Sequence, residues 1–286
     1  SIRTTNFSNY TNTLDQESNS TSGGPSLFLK TGFEYFIDPK QSLALSTTLS
    51  NGGRESEGKT FTKDIGPDEK KFYRLTDNNS DRNGYDLNLN YDKKFTNPKQ
   101  KLTSYLRFSD GLNDGLNEYY NNDDGGENYV YDDRAKNGQD GTSKSYNFKL
   151  DYTHPFENDS KLEFGLNSKS TDRGDKQIAE LFDETTKQYV ADRTFTNEFE
   201  YNETVHAAYI QYGGALGFIG YNVGGRYETV DMMSELKNTN ESFKNPYSSF
   251  YPSLSMSFGA PQLLQIQASY SKRVNRPRSR MLNPFS

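Results

Sequence analysis

The sequence alternates apolar and polar residues one by one over many separate segments. The segment 85–92 alternates Tyr and Leu with Asp and Asn, and the same two-residue period returns in the segments 146–152, 221–228, 250–258 and 264–271. Successive side chains of a β-strand point to opposite faces, so each segment has one apolar and one polar face. No window contains a comparable amphipathic helix. The pattern predicts an all-β, antiparallel fold.

Composition narrows the class of protein further. Among 286 residues only 31% are hydrophobic and the mean hydropathy is -0.99, yet 21 Tyr and 19 Phe are too many for a disordered chain. No stretch approaches the roughly 20 apolar residues of a membrane helix. The net charge of -6 does not provide the excess of basic residues that binds the phosphates of nucleic acid, so no nucleic-acid partner is expected. The absence of cysteine excludes disulfides, thiol nucleophiles and Cys-ligated metals.

The links between the alternating segments are of two kinds. Short links occur at 38–40, 97–99, 157–159, 217–218 and 260–261. Long polar links occur at 11–24, 51–83, 111–142, 172–203 and 232–246. Short and long links alternate along the chain, which is typical of an outer-membrane β-barrel with short periplasmic turns and long extracellular loops.

The strands expected between these links are about ten to thirteen residues long, which matches a tilted strand across a bilayer. The alternative is a soluble sheet protein such as a sandwich. Soluble strands average about five or six residues, and compact domains rarely contain several structureless loops of about thirty residues. The pattern therefore favours an antiparallel transmembrane β-barrel located in the bacterial outer membrane, in contact with its lipid.

The strand count indicates part of a larger barrel. We count about eleven strands, whereas a single-chain bacterial barrel has an even number and pairs its last strand with its first. The sequence begins with Ser1 and shows no targeting peptide. We therefore expect residues 1–286 to be one partial barrel domain of a longer chain.

A series of motifs near the C-terminus carries a family resemblance. These are YNETVHAAY (201–209), GGRYET (224–229), YPSLS (251–255), SYSKRVNRP (269–277) and LNPF (282–285), with a looser match at 33–37 and 42–46. The series resembles the barrel domain of Bacteroidetes-type TonB-dependent outer-membrane receptors, the outer membrane protein beta-barrel family. Strong motifs cover about residues 200 to 285, and the rest is similar in layout.

The resemblance implies a 22-stranded barrel filled by an N-terminal plug domain. Such receptors import a scarce, bulky ligand with energy delivered by their inner-membrane partner TonB, which contacts the plug. The plug, the TonB-contact box and the closing strands are not within this sequence, so transport is expected of the parent protein. The alternative is a non-transporting barrel subunit, a scaffold or partner of a surface lipoprotein. A plug upstream would favour the transporter.

Two groups of charged residues are candidates for binding. Arg226 and Glu228 share the polar face of one strand and should point into the lumen, where they either hold the plug or form a network within the barrel wall. Arg273 and Arg276 belong to a basic cluster where the last strand should reach the extracellular side. This cluster either attracts an anionic ligand or forms a structural corner.

The long link at 118–133 contributes aromatic candidates. Its tyrosines, Tyr119, Tyr120, Tyr129 and Tyr131, would stack on a ligand, or else the segment is a plain solvated loop. Its carboxylates do not have EF-hand spacing, and the two histidines lie in different strands, so we expect no metal and no cofactor. No carboxylate pair stands out for hydrolysis, so an enzyme is not expected. The sequence does not identify the ligand.

Overall fold

The computed structural model describes residues 2–6, 11–65, 70–122, 133–259, 266–277 and 279–283. The described chain consists almost entirely of β-strands and contains one short helix. The elements are β1 (Ile2–Asn6), β2 (Thr11–Gly23), β3 (Ser26–Asp38), β4 (Gln41–Ile65), β5 (Lys70–Lys94), β6 (Lys101–Asn122), β7 (Asp133–Pro155), β8 (Lys161–Asp183), β9 (Gln188–Ala191), β10 (Asn197–Leu216), β11 (Ile219–Leu236), β12 (Glu241–Lys244), β13 (Tyr247–Phe258), β14 (Ile266–Ser271) and α1 (Ser279–Leu282).

All the strands belong to one antiparallel sheet that follows the order of the chain. Strands β2 and β3 lie end to end along β4. In the same way, β9 and β10 lie end to end along β8, and β12 and β13 lie end to end along β11. The sheet therefore has eleven columns, which confirms the predicted strand count. In the described ranges, β1 and β14 are its two edges, and no registered pair joins them.

The strands are much longer than the sequence predicts. Strands β4 and β5 have 25 residues each, and β6, β7 and β8 have 22, 23 and 23. The prediction that 51–83 and 11–24 are loops is wrong, because most of these residues pair in register as hairpin arms. A hairpin that extends into water is held together by main-chain hydrogen bonds and needs no apolar side chains. The polar composition of these segments therefore did not distinguish a strand from a loop.

The short turns lie where the sequence predicts them. After β3, Asp38 Oδ1 accepts a hydrogen bond from the Lys40 amide at 2.7 Å, and after β7, Asn158 Oδ1 accepts one from the Ser160 amide at 3.2 Å. Such Asx contacts favour tight turns. The turn after β10 uses Gly217 at φ 64°, a conformation that glycine adopts without steric cost. The predicted link at 260–261 lies outside the described residues.

One face of the sheet, the outer face, carries an exposed apolar band. Across β4 to β7 the register aligns Leu45, Leu89, Leu106 and Phe148 in one row. Leu106 is 47% exposed, although it lies in the middle of its neighbours. Exposed apolar side chains in continuous rows fit a surface that lies against lipid.

Aromatic rings border this band on both sides. On the side of the long hairpins, Phe108 lies 5.4 Å from Tyr85 and 4.8 Å from Tyr146, measured between ring centroids. On the side of the short turns, Tyr152 contacts Phe95 and Phe164, Tyr212 contacts Tyr221, and Phe218 contacts Phe258. Phe156 belongs to this second border, since its ring lies 6.1 Å from that of Tyr212. The ten residues from Tyr146 to Phe156 correspond to about 25 Å across the bilayer for a strand tilted by about 40°, which is the height of a lipid-facing band.

The opposite face, the inner face, is polar at the level of this band. Asp86 Oδ1 accepts a hydrogen bond from Arg107 Nε at 3.0 Å, and Asp92 forms an ion pair with Lys101 at 2.9 Å. These cross-strand pairs occupy positions that alternate with the lipid-facing leucines, as in a barrel with a polar lumen. Within the described ranges, no helix has the length and apolar character needed to span a membrane.

Candidate functional site

The inner face of β11 carries the predicted pair Arg226 and Glu228. Arg226 Nε donates a hydrogen bond to Glu228 Oε1 at 2.6 Å, and Arg276 Nη2 donates one to Glu228 Oε2. Arg276 Nε also donates to the Tyr247 hydroxyl at 2.7 Å. Glu228 is only 6% exposed. The carboxylate is therefore shared by two guanidinium groups, which gives strong, directional contacts in a region with little water.

The two arginines of the predicted basic corner lie in different surroundings. Arg273 is exposed, whereas Arg276 is half-buried and turned towards the inner face, where it contacts Glu228. The two residues separate because the chain after β14 folds back across the inner face: Arg173 Nη1 on β8 donates to Ser279 Oγ at 3.3 Å. The basic residues of the same stretch include Lys272, which is exposed, and Arg278 and Arg280, whose side chains lie outside the described part of the chain.

An apolar cluster on the inner face was missed by sequence reasoning. Its buried members are Phe199, Tyr201, Val205, Val230, Met232 and Leu236, and Tyr247 and Leu282 pack against them. Leu282 belongs to the chain after β14, and we call residues 272–277 and 279–283 the C-terminal segment. The contact of Leu282 with the buried apolar cluster attaches this segment to the wall of β10 and β11.

A change of phase in the alternation is the signal that could have revealed this cluster. In β11 the apolar residues occupy odd positions up to Tyr227, whereas the buried apolar residues Val230, Met232 and Leu236 occupy even positions. The outward positions beyond Tyr227, such as Thr229 and Asp231, are polar because they lie above the lipid. The inward positions become apolar because protein, and not the open lumen, lies against them.

A recess of about 830 Å³ lies beside the C-terminal segment on the inner face. It is lined by side chains of β5, β6, β7, β8 and β10 and by Ser279 and Asn283. Arg82 Nε donates to Asn113 Oδ1 at 2.9 Å across the recess wall. Asn113 and Asn137 lie beyond the aromatic border formed by Phe108 and Tyr146, so the recess is at the extracellular side.

Two buried amide atoms at this recess have no hydrogen-bond partner among the described residues. These are Nδ2 of Asn197, a residue that is 1% exposed, and Oδ1 of Asn137. Both residues line the recess. Asn197 Nδ2 is a donor on β10 and Asn137 Oδ1 is an acceptor on β7, and β8 lies between the two strands.

The structure separates the predicted ligand-binding tyrosines. Tyr119 and Tyr120 lie within β6 and not in a loop, and as neighbours on a strand they point to opposite faces. The Arg74 guanidinium lies 5.8 Å from the Tyr119 ring on the inner face. The Tyr120 hydroxyl donates to Glu118 on the outer face at 3.2 Å, and burial together with this carboxylate raises the pKa of Tyr120. Tyr129 and Tyr131 lie outside the described residues.

Neither histidine joins a constellation suited to catalysis or metal binding. The Tyr152 hydroxyl lies 3.2 Å from His154 Nδ1, and the Ser168 hydroxyl lies 2.9 Å from His206 Nδ1. The part of the chain that the structure describes contains no group of three His, Cys, Asp or Glu side chains that could hold a metal ion.

A lipid-facing apolar band with two aromatic borders and a polar inner face together define an integral β-barrel protein of the outer membrane. A comparison of the sequence with family models agrees: residues 93–286 match the outer membrane protein beta-barrel family. The chain belongs to this family, and its location is the bacterial outer membrane.

Solved structures that are similar to this chain include outer-membrane receptors and transporters. The siderophore receptor PiuA from Acinetobacter baumannii has a TM-score of 0.50 and 8% identity, covering 90% of this chain and 48% of PiuA. The ferric citrate transporter FecA has a TM-score of 0.47 and 12% identity, and the match covers 91% of this chain and 43% of FecA. The alcaligin receptor FauA from Bordetella pertussis has a TM-score of 0.43 and 14% identity, and the match covers 90% of this chain and 43% of FauA.

The present chain thus spans less than half the length of each of these three structures. At 8% identity the likeness to PiuA shows the fold alone. No curated protein matches the sequence.

Proposed function

We propose that this chain forms part of the barrel wall of a TonB-dependent outer-membrane transporter that imports a bulky ligand. The observation that carries the proposal is the open, eleven-column sheet with a polar inner face, which corresponds to about half of the siderophore receptor PiuA. A barrel twice this size is wide enough to contain a plug and to pass a ligand larger than those admitted by simple pores.

The polarity of the inner face supports a transport role. Beyond the level of the lipid, the inner wall provides the recess with its guanidinium groups, amides and hydroxyls, open to the extracellular side. A receptor needs such hydrogen-bonding groups where the ligand arrives, since they replace the water that the ligand loses. A barrel serving only as a lipid-embedded scaffold has no need of them.

Energy for import would come from TonB through the plug of the parent protein. We expect no catalytic activity from the barrel. Three carboxylates of its inner face are engaged by cations: Asp86 by Arg107, Asp92 by Lys101 and Glu228 by two arginines. Paired carboxylates of this kind stabilise a wall and are poorly suited to exchange protons with a substrate.

Binding to TonB tests the proposal directly. The full-length parent protein, purified in detergent, is mixed with the periplasmic domain of TonB from the same bacterium and examined by surface plasmon resonance. We expect saturable binding that is lost when the N-terminal TonB-contact segment of the parent is deleted. A parent that does not bind TonB, with or without that segment, would contradict the proposed function.

A further inference from the structure

A groove of about 840 Å³ runs across the outer face, just beyond the lipid-facing band. It crosses the strands from β3 to β8 and reaches β10. Asp110 lines the groove on β6, two residues beyond Phe108 of the aromatic border, and Lys144 lines it on β7. The groove therefore begins where the aromatic border ends on the extracellular side. Because lipid covers the band directly below, the groove lies at the level of the lipid head groups.

The charged side chains of the groove alternate in sign along one row. The register places Lys144 of β7 between Asp110 of β6 and Asp172 of β8. Neighbours in such a row are about 5 Å apart. Lys144 Nζ lies 3.9 Å from Asp110 Oδ2, which is beyond hydrogen-bond distance, and the Lys144 side chain is 56% exposed. The row thus presents one cation between two anions to the molecule that fills the groove.

The other carboxylate oxygen of Asp110, Oδ1, is buried and has no hydrogen-bond partner among the described residues. A buried oxygen of this kind costs free energy until a donor reaches it. A primary ammonium group is well suited, because it combines a positive charge with three N–H donors. A metal ion matches less well, since within the described ranges no group of three His, Cys, Asp or Glu side chains could hold one.

The remaining charges of the groove favour a head group that carries both signs. Glu200 adds a third carboxylate, which forms an ion pair with Lys237 at 3.0 Å. Arg173 also lines the groove, but its guanidinium is on the inner face, where it donates to Ser279. A phosphate without an ammonium would meet Lys144 together with the neighbouring carboxylates, which would partly cancel the attraction. A head group with both a phosphate and an ammonium matches the row better.

Amide side chains extend the groove on both sides of this row. Asn51 and Asn83 lie on β4 and β5, and Asn202 lies on β10. An amide both donates and accepts hydrogen bonds, so these positions suit the hydroxyl groups of a sugar. Glycolipids form the outer leaflet of the outer membrane, and their head groups reach this level of the barrel wall. The amides therefore favour a glycolipid over a lipid without sugars.

We propose that this groove binds an outer-leaflet glycolipid that carries phosphoethanolamine, with its ammonium at Asp110 and its phosphate at Lys144. Asp172 provides a second carboxylate on the other side of Lys144. The acyl chains of the lipid continue along the apolar band, past the aromatic border at Phe108. Such a lipid binds to the wall whether or not the barrel transports a ligand, so the inference does not rest on the proposed function.

Lipid binding to the full-length parent protein tests the inference. The delipidated protein in detergent is titrated with lipid A that carries phosphoethanolamine, with the same lipid A without it, and with phosphatidylethanolamine, and bound lipid is counted by native mass spectrometry. We expect the first lipid to bind at least tenfold more tightly than the other two. Equal affinity for the two forms of lipid A, or binding of neither, would overturn the inference. Tighter binding of phosphatidylethanolamine would overturn the assignment to a glycolipid.

Two variants separate the two contacts. Asp110→Asn keeps the shape of the side chain and removes its charge, so the preference for the phosphoethanolamine form should disappear while the affinity for unmodified lipid A does not fall. Lys144→Gln removes the cation at the phosphate and should weaken both forms of lipid A by a similar factor, so the preference remains. A preference that survives in Asp110→Asn would overturn the inference. Lys144 is exposed, so its variant decides the phosphate contact even if Asp110→Asn assembles poorly, and unchanged lipid A affinity there would also overturn the inference.

Asp231→Asn is the matched control. Asp231 is an exposed carboxylate on the outer face of β11, and it lies above the lipid and outside the groove. Both aspartate variants change the charge of the outer face equally, so a general electrostatic effect would appear in both. We expect Asp231→Asn to keep the lipid preference of the unaltered protein. An equal loss of preference in Asp231→Asn and Asp110→Asn would overturn the inference.

Discussion

Glu228 on β11 and Arg276 in the C-terminal segment form a largely buried ion pair, although they are 48 residues apart in the sequence. Arg226 contacts the other carboxylate oxygen, so Glu228 joins the barrel wall to a segment that crosses its inner face. The apolar cluster beside this pair holds the same segment through Leu282. The C-terminal segment is thus attached by one polar and one apolar contact region, and each can be tested separately.

Removal of the shared carboxylate should weaken the polar attachment. Glu228→Ala leaves two guanidinium groups without their acceptor, and hydrogen bonds to charged groups contribute about 1.5–3 kcal/mol each. We expect the parent protein to lose about 2 kcal/mol of stability, measured as the shift of its unfolding midpoint in urea. Lys99→Ala is the control, since the Lys99–Asp159 pair is highly exposed and should contribute no measurable stability. Equal behaviour of the two variants would refute a special role for Glu228.

Truncation within the apolar cluster should release the C-terminal segment. Phe199 is 3% exposed, and Phe→Ala substitutions at such positions cost about 3–5 kcal/mol. In Phe199→Ala we expect faster amide hydrogen exchange in residues 272–283, read by mass spectrometry. The control is Phe195→Ala, because Phe195 is 61% exposed. If residues 272–283 exchange at the same rate in both variants, the cluster does not hold the segment.

The sequence predicts which residues of a strand face the lipid and which face the lumen. This is because apolar side chains are favoured against lipid and polar side chains against the lumen, and the two faces alternate along a strand. Segment 85–92 carries this alternation without interruption, and its strand spans the membrane as predicted. Above the lipid both faces meet water or protein, so the alternation no longer reports the environment. For this reason the strand lengths at 51–83, the position of Tyr119 within β6 and the cluster at Phe199 were not predicted.

The candidate site was predictable only in part for a similar reason. Arg226 and Glu228 were identified because their spacing places them on one face, a local property of a strand. Arg276 reaches Glu228 through a reversal of the chain after β14, which no local pattern contains. The recess at Asn137 and Asn197 combines amides of separate strands, and single amides carry no sequence signal of their own.

A lysine substitution should have different effects on the two faces of β6. Leu106 lies in the lipid-facing row, and a lysine near the bilayer midplane costs about 2–4 kcal/mol. Thr103 lies on the inner face between Asp92 and Asp151, where a lysine finds carboxylates. We therefore expect Leu106→Lys to lower assembly of the parent into outer membranes, while Thr103→Lys assembles normally. Assembly is measured by heat-modifiable migration in gels, and normal assembly of Leu106→Lys would contradict the lipid-facing assignment.

The hairpin that joins β8 and β9 should weaken in acid. Asp183 Oδ1 accepts hydrogen bonds from the amides of Thr186 and Thr185 at 3.0 and 2.7 Å, and these contacts lower the pKa of Asp183 below its ordinary value near 4. Since the folded-state pKa is the lower one, the stabilisation is present above the unfolded pKa and is lost as pH falls through the folded pKa. We expect protection of the Thr185 and Thr186 amides, corrected for intrinsic exchange, to decrease on acidification. In Asp183→Asn the protection should not depend on pH over the same range, and a parallel decrease in that variant would assign the effect to another group.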